Sequence, residues 1–210
     1  CGMGKYLTEF VGTFFLVLTV GCTGVAAGPG VIAPIAIGSV LMVMIYAGGH
    51  VSGGHYNPAV TLGAFLRGAC PAADVAPYMA SQIVGALAAA VVTLYLRDAG
   101  AASVLQPAIG PAFVAELLFT FALVLVVLNT ATTKKTAGNS YFGLAIGFTV
   151  LVGAFAVGDI SGGAFNPAVA IGASAMGLLP WPLIWMYLGA ELVGGALAAV
   201  VFKAMNGAEA

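Results

Sequence analysis

The string Ser-Gly-Gly-x-x-Asn-Pro-Ala-Val occurs twice, over residues 52–60 and again over 161–169, in a chain that carries almost no charge elsewhere. Both copies end in the tripeptide Asn-Pro-Ala plus Val, as Asn57-Pro58-Ala59-Val60 and Asn166-Pro167-Ala168-Val169. Asn followed by Pro is how a helix begins, because the Asn side chain caps free amides and Pro at the first helical position loses nothing by lacking an N–H. The apolar pieces that follow, 57–67 and 166–177, are about half the ~20 residues needed to cross a bilayer. They read as half-helices that dip into a bundle without crossing it.

Composition supplies the bundle. Hydrophobic residues make up 61% of the 210 and charged residues 6%, against roughly 25% charged in an average soluble domain. Mean hydropathy is +1.10. An all-α protein in the lipid bilayer is the class this implies, with 30 glycines as sites of close helix approach. A net charge of −1 implies neither nucleic acid nor an acidic partner. Cys1, Cys22 and Cys70 are odd in number and scattered, so they read as small packing residues, with no disulfide framework, metal or cofactor implied. The first apolar stretch runs past Cys22 without a cleavage signature, so no cleavable signal peptide is expected.

Six segments are long enough to span, near 6–26, 32–50, 75–96, 111–131, 139–158 and 181–204. Breaks are expected at Gly28-Pro29-Gly30, Cys70-Pro71, Gln106-Pro107, Gly110-Pro111, Thr132 to Asn139 and Pro180. With the N-terminus in the cytoplasm, Lys5, Arg67, Lys134, Lys135 and Lys203 fall on the cytoplasmic side and Arg97 outside, so both termini are expected to be cytoplasmic. The register that lays Asn166 on Asn57 also lays Ser161 on Ser52, Gly162 on Gly53, Tyr187 on Tyr78, Glu191 on Gln82 and Gly194 on Gly85. A slightly shorter register lays Glu116 on Glu9 and Thr120 on Thr13. Three spans per copy is an odd number, so the second copy is inverted, giving repeats 1–105 and 106–210 around one pore domain. The half-helices then enter from opposite faces and meet N-terminus to N-terminus. Non-helical backbone at that depth must be buried in protein or line a water-filled cavity, so the Ser-Gly-Gly stretches read as pore wall.

These residues resemble the aquaporin (major intrinsic protein) family over essentially the whole chain. In its Gly-Gly-x-x-Asn-Pro-Ala-Val strings, with Val after the second motif, the chain is most similar to tonoplast-intrinsic-type members and bacterial relatives. The resemblance implies a passive channel, a homotetramer with one pore per subunit, and no cofactor. It places four selectivity-setting positions at Ile37, Ala154, Gly163 and Val169, with Phe155 the alternative at the second place. Water-selective members usually have Arg at the last position and often aromatic or His residues at the first two, so this filter is expected to be wide, uncharged and poor in donors. The resemblance further implies that Glu9 and Glu116 hold the re-entrant loops by accepting backbone N–H bonds. Glu191 stands where related channels commonly have Pro, and its repeat mate Gln82 suggests a hydrogen-bonding role. Gly53, Gly54, His55, Gly162 and Ala164 are expected along the pore; His55 also reads as a satisfied loop histidine, and His50 ends a span.

Each half-helix places about half a positive charge at its N-terminus, so the facing pair repels cations at mid-pore. Asn57 and Asn166 would then donate N–H groups to a passing oxygen. Water and small neutral solutes such as hydrogen peroxide, ammonia, urea or glycerol are the expected cargo. The family's dedicated glycerol channels carry an Asp where this chain has Ala170, and Tyr187-Leu188 stands where water channels usually carry an aromatic pair. A secondary transporter with a midplane site is the first alternative. It would need a coupling carboxylate, and the acid nearest either motif is Asp159, near the end of its span. A junction or scaffold protein is the second. An enzyme is not expected, because no nucleophile, base and oxyanion set can be assembled.

Overall fold

The computed structural model describes residues 2–24, 32–97 and 103–207. Cys1 and the expected break at Gly28-Pro29-Gly30 lie outside them. Eight α-helices occur among the described residues: α1 (Gly2–Gly24), α2 (Ala33–Ser52), α3 (Pro58–Arg67), α4 (Ala72–Leu96), α5 (Ile109–Ala131), α6 (Phe142–Ser161), α7 (Pro167–Ala175) and α8 (Ile184–Asn206). Six of them are long and apolar enough to cross a membrane, and α3 and α7 are the two half-helices.

The ends of the spans differ from the sequence expectation for local reasons. Helix α1 starts before residue 6, and Lys5 Nζ and the Tyr6 hydroxyl tie its first turns to Asp74 on α4 at 2.6 and 2.9 Å. Helix α6 starts later than residue 139 because Asn139 works outside the helix. Its Nδ2 donates to the Thr130 and Thr136 carbonyls and its Oδ1 accepts the Tyr141 N–H. Around Pro182, residues Trp181–Leu183 form a 3-10 turn that delays α8 to Ile184. Both half-helices begin as the Asn-Pro pairs require: Asn57 Oδ1 accepts the Ala59 and Val60 amides at 2.8 and 3.4 Å, and Asn166 Oδ1 accepts the Ala168 amide at 2.9 Å.

The bundle is two interlocked halves. Helix α1 packs along α4, and α5 along α8 in the same way. The approach is close enough that a Cβ on Gly85 would lie 2.6 Å from the Phe10 carbonyl oxygen, and one on its mate Gly194 2.6 Å from that of Leu117. Such contact replaces the hydrophobic drive that lipid cannot supply. Helices α2 and α6 cross where a Cβ on Gly38 would meet the Gly147 carbonyl at 2.6 Å. Each half-helix packs chiefly on the other half: α3 on α8, and α7 on α4. Val84, Leu87 and Val91 on α4 point outward, as a bilayer-facing surface requires.

Candidate pore

Two matching loops build the wall. Each leaves its span through a pair of glycines with positive φ, Gly53 (89°) and Gly54 (64°) in one, Gly162 (92°) and Gly163 (64°) in the other. Only glycine adopts this backbone without a Cβ penalty. Each loop then forces an aromatic residue into the same region, Tyr56 at 49° and Phe165 at 50°. That costs of order 1–3 kcal/mol and persists only where surroundings over-determine it.

Buried carboxylates supply that determination. Glu9 Oε1 accepts the Ser52 hydroxyl at 2.7 Å and the His55 N–H at 2.9 Å, while its Oε2 accepts the Tyr56 N–H at 2.6 Å and Gln82 Nε2 at 2.8 Å. Glu116 repeats the pattern, with the Ser161 hydroxyl at 2.7 Å and the Ala164 and Phe165 N–H groups at 3.0 and 2.6 Å. The fourth donor is missing. Glu191 occupies the place of Gln82, fully buried, and neither of its carboxyl oxygens receives a hydrogen bond. The Tyr78 and Tyr187 hydroxyls complete the clamps, donating to the Ser52 and Ser161 carbonyls at 2.8 and 2.6 Å.

At the centre the loops hold each other. Asn57 Nδ2 donates to the Phe165 carbonyl at 2.9 Å, and Asn166 Nδ2 donates to the Tyr56 carbonyl at 2.8 Å. The half-helix N-termini therefore face one another. Each amide nitrogen keeps a second N–H outside these bonds. Of the two motifs only the asparagines line the central passage; Ala59 and Ala168 are fully buried behind it, and the Ala59 carbonyl is where a Cβ on Gly195 would intrude, at 2.7 Å.

The passage between the asparagines is narrow and mostly apolar. Leu16, Leu41, Val60, Leu123, Val127, Ile146 and Val150 line it, with Gly54, His55, Gly163 and Ala164 contributing backbone or ring. Its volume of about 20 Å³ compares with roughly 10–15 Å³ for one water. It opens into a mouth of about 320 Å³ lined by Ile37, Ala154, Gly162, Gly163 and Val169 together, which contains no side chain of Phe155. Phe155 points out of the bundle, 51% exposed. The opposite mouth, about 340 Å³, is lined by Ser52, Gly53, His55, Arg67 and Thr132.

Among the described residues no Asp, Glu, Lys or Arg lines the central passage, and Arg67 stands at the opposite mouth. Arg67 turns to the loop after α5, donating to the Thr132 hydroxyl and carbonyl at 2.8 and 2.7 Å, and Asp159 is exposed outside the lining. His55 faces the passage while bonded through Nδ1 to the Thr61 hydroxyl at 3.1 Å, so lining and satisfied-loop roles coincide. With the Thr61 proton on the Asn57 carbonyl, the ring donates from Nδ1 and keeps Nε2 as an acceptor. His50 lines a side cavity with Thr136 and Asn139.

Sequence reasoning passed over Tyr56 and Phe165, whose carbonyls receive the asparagine amides. The available signal was an aromatic residue before Asn in both strings.

Comparison with known proteins agrees with this geometry. Residues 2–202 match the family model described as "Major intrinsic protein". The chain is 38% identical to "Glycerol uptake facilitator protein-like 6" of Lactiplantibacillus plantarum, over 97% of this chain and 99% of that relative. It is 34% identical to "Putative aquaporin NIP4-1" of Arabidopsis thaliana, over 97% of this chain and 75% of that protein. It is 33% identical to "Nodulin-26" of Glycine max, over 95% and 76% respectively. These relatives are of the NIP and glycerol-facilitator kind, and the first is bacterial; of the expected likeness to tonoplast-intrinsic types and bacterial relatives, the tonoplast part is not shown by them. Among solved structures, the aquaglyceroporin from Plasmodium falciparum superposes with a TM-score of 0.75 at 20% identity, covering 98% of this chain and 95% of that one, which supports the fold. The chain is an integral, multi-pass membrane protein and belongs to the major intrinsic protein family, whose members are channels.

Proposed function

We propose that this protein is a passive channel for water and for small neutral solutes of the hydrogen peroxide, ammonia, urea and glycerol class. The observation that carries the reading is a passage whose only side-chain amides among the described residues are Asn57 and Asn166, opening into a mouth where Val169 stands beside Ile37, Ala154 and Gly163. In this reading those four residues are the selectivity filter, and the absence of an arginine there removes a fixed charge and a strong donor from the narrowing. Glu9, Glu116 and Gln82 anchor the loops. The name of the glycerol-facilitator-like relative supports a solute range beyond water.

Steric sorting then falls to the middle of the pore. The mouth by Val169 is roomy, whereas the central passage has room for about one or two waters beside the asparagines. Rejection of cations rests on the half-helix N-termini, which together present about one unit of positive charge. The distribution of Lys and Arg supports cytoplasmic termini. Outward apolar faces on α4, with Val84 and Val91 exposed, support burial against lipid or further copies in a homotetramer.

Stopped-flow light scattering on proteoliposomes tests the reading, with water, urea, glycerol and peroxide gradients in turn. Permeability proportional to the gradient is expected. Saturation at millimolar solute, or a requirement for an ion gradient, would indicate a transporter instead.

A further inference from the structure

We infer that Glu116 and Glu191 share one proton, and that the Glu191 carboxyl donates it to Glu116 as the positioning contact for the second pore loop. The first loop shows what the contact does. There Gln82 Nε2 donates to Glu9 Oε2 at 2.8 Å, filling the last acceptor site of the carboxylate that holds His55 and Tyr56. In the second loop the residue at that place is itself an acid. Glu191 is fully buried, on α8 where it packs along α5, and the repeat register sets it toward Glu116 as Gln82 is set toward Glu9; the Asn166 backbone amide faces it without completing a hydrogen bond, and its two oxygens receive none.

Two ionised carboxylates cannot coexist in that contact. Both would be desolvated, neither offers a donor, and like charges sharing a site force one to keep its proton. Among the described residues no basic group is seen to offset them. The elements packed on α8 are α3, α5, α7 and the 3-10 turn Trp181–Leu183, which carries no titratable group. On α5 the titratable group is Glu116, α7 has none, and the Arg67 of α3 sits at the far end of that helix over the Phe202 ring. On α8 the near group is Tyr187, whose hydroxyl is committed to the Ser161 carbonyl, while Lys203 lies several turns away. Glu116 already receives three donors and Glu191 none, so Glu116 is the anion and Glu191 the donor. A protonated Glu191 has the shape of Gln82 and can make its bond to the loop carboxylate; the second bond of Gln82, to the Thr61 hydroxyl at 3.0 Å, has no counterpart because Ala170 stands at that place.

The inference concerns a loop that the channel reading places in the pore wall, but neither of its readouts needs transport, so the two can fail separately. Infrared spectroscopy of the protein in lipid at neutral pH should show the carbonyl stretch of a protonated carboxylic acid. Glu191→Gln should lose that band, and Gln82→Glu should gain a second one beside Glu9. Absence of the band in the wild type, or its persistence in Glu191→Gln, overturns the shared proton. Hydrogen exchange at the Ala164 and Phe165 amides reads the positioning. Raising the pH until the band disappears should deprotect both amides in the wild type relative to Glu191→Gln at the same pH. Equal protection of the two proteins after the band is gone overturns the positioning role.

Discussion

Asn57 and Asn166 each reach across the middle of the bundle to the backbone of the opposite loop, Asn57 to the Phe165 carbonyl and Asn166 to the Tyr56 carbonyl, at 2.9 and 2.8 Å. Each side chain thus has two jobs. Its oxygen caps its own half-helix, and its nitrogen locks the other half-helix in place.

Replacing Asn57 by Ala therefore removes a cap worth about 1 kcal/mol and a cross-loop bond worth about another. The expected loss of stability is about 2 kcal/mol, read from denaturant unfolding in detergent. The Asn57→Ala/Asn166→Ala double variant should depart from additivity, because both bonds close the same junction. Strictly additive losses would mean that the loops are held independently.

Glu9 is a heavier dependency. Its carboxylate satisfies four donors from Ser52, His55, Tyr56 and Gln82 in a fully buried site. Glu9→Ala strands those donors, and the cost should be roughly 3 kcal/mol or more, with Tyr56 released from its left-handed backbone. Ser52→Ala deletes one partner only and should cost about 1 kcal/mol. Comparable unfolding midpoints for the two variants would refute the anchoring role.

How much of this was legible beforehand follows the range of each interaction. Capping by Asn57 and Asn166 is local, so the Asn-Pro pairs announced it directly. The roles of Glu9 and Glu116 came through the repeat register and the family resemblance, which stand in for the missing three-dimensional information. Tyr56 and Phe165 were invisible as acceptors because every residue has a carbonyl, and only the fold decides which one is presented. Their positive φ was equally hidden, since it depends on Gly12 and Gly48 leaving room for the Tyr56 ring and on Gly153 doing so for Phe165. The width of the passage was the largest omission. Sequence named four residues for selectivity, and three of them, Ile37, Gly163 and Val169, line the narrow passage as well as the mouth, but only the fold shows that Leu123, Val127, Ile146 and Val150 share that wall.

Glycine pairing across the repeat can be tested at one atom. A methyl added at Gly85 or Gly194 would lie 2.6 Å from a backbone carbonyl, which cannot rotate away. Gly85→Ala and Gly194→Ala should each cost about 1–3 kcal/mol by forcing α1 from α4 or α5 from α8. Gly110→Ala, where no atom lies near the added methyl, is the control and should be silent. Thermal unfolding in detergent separates the three.

The last expectation sets the mouth against the middle. Val169 lines both the outer mouth and the central passage, so Val169→Arg places a charged fork where the wall is now apolar. It should lower urea and glycerol permeability while leaving that of water largely intact, because a fixed donor can still hydrogen-bond one water in file. Val150→Ala acts on the narrow stretch alone, since Val150 lines the passage and not the outer mouth. Deleting its two methyl groups widens a volume of only about 20 Å³ and should raise glycerol permeability more than water permeability. The ratio of the two permeabilities in stopped-flow assays decides between sites. If Val150→Ala leaves the glycerol-to-water ratio unchanged while Val169→Arg lowers it, sorting occurs where Val169 stands and not along the stretch that Val150 lines.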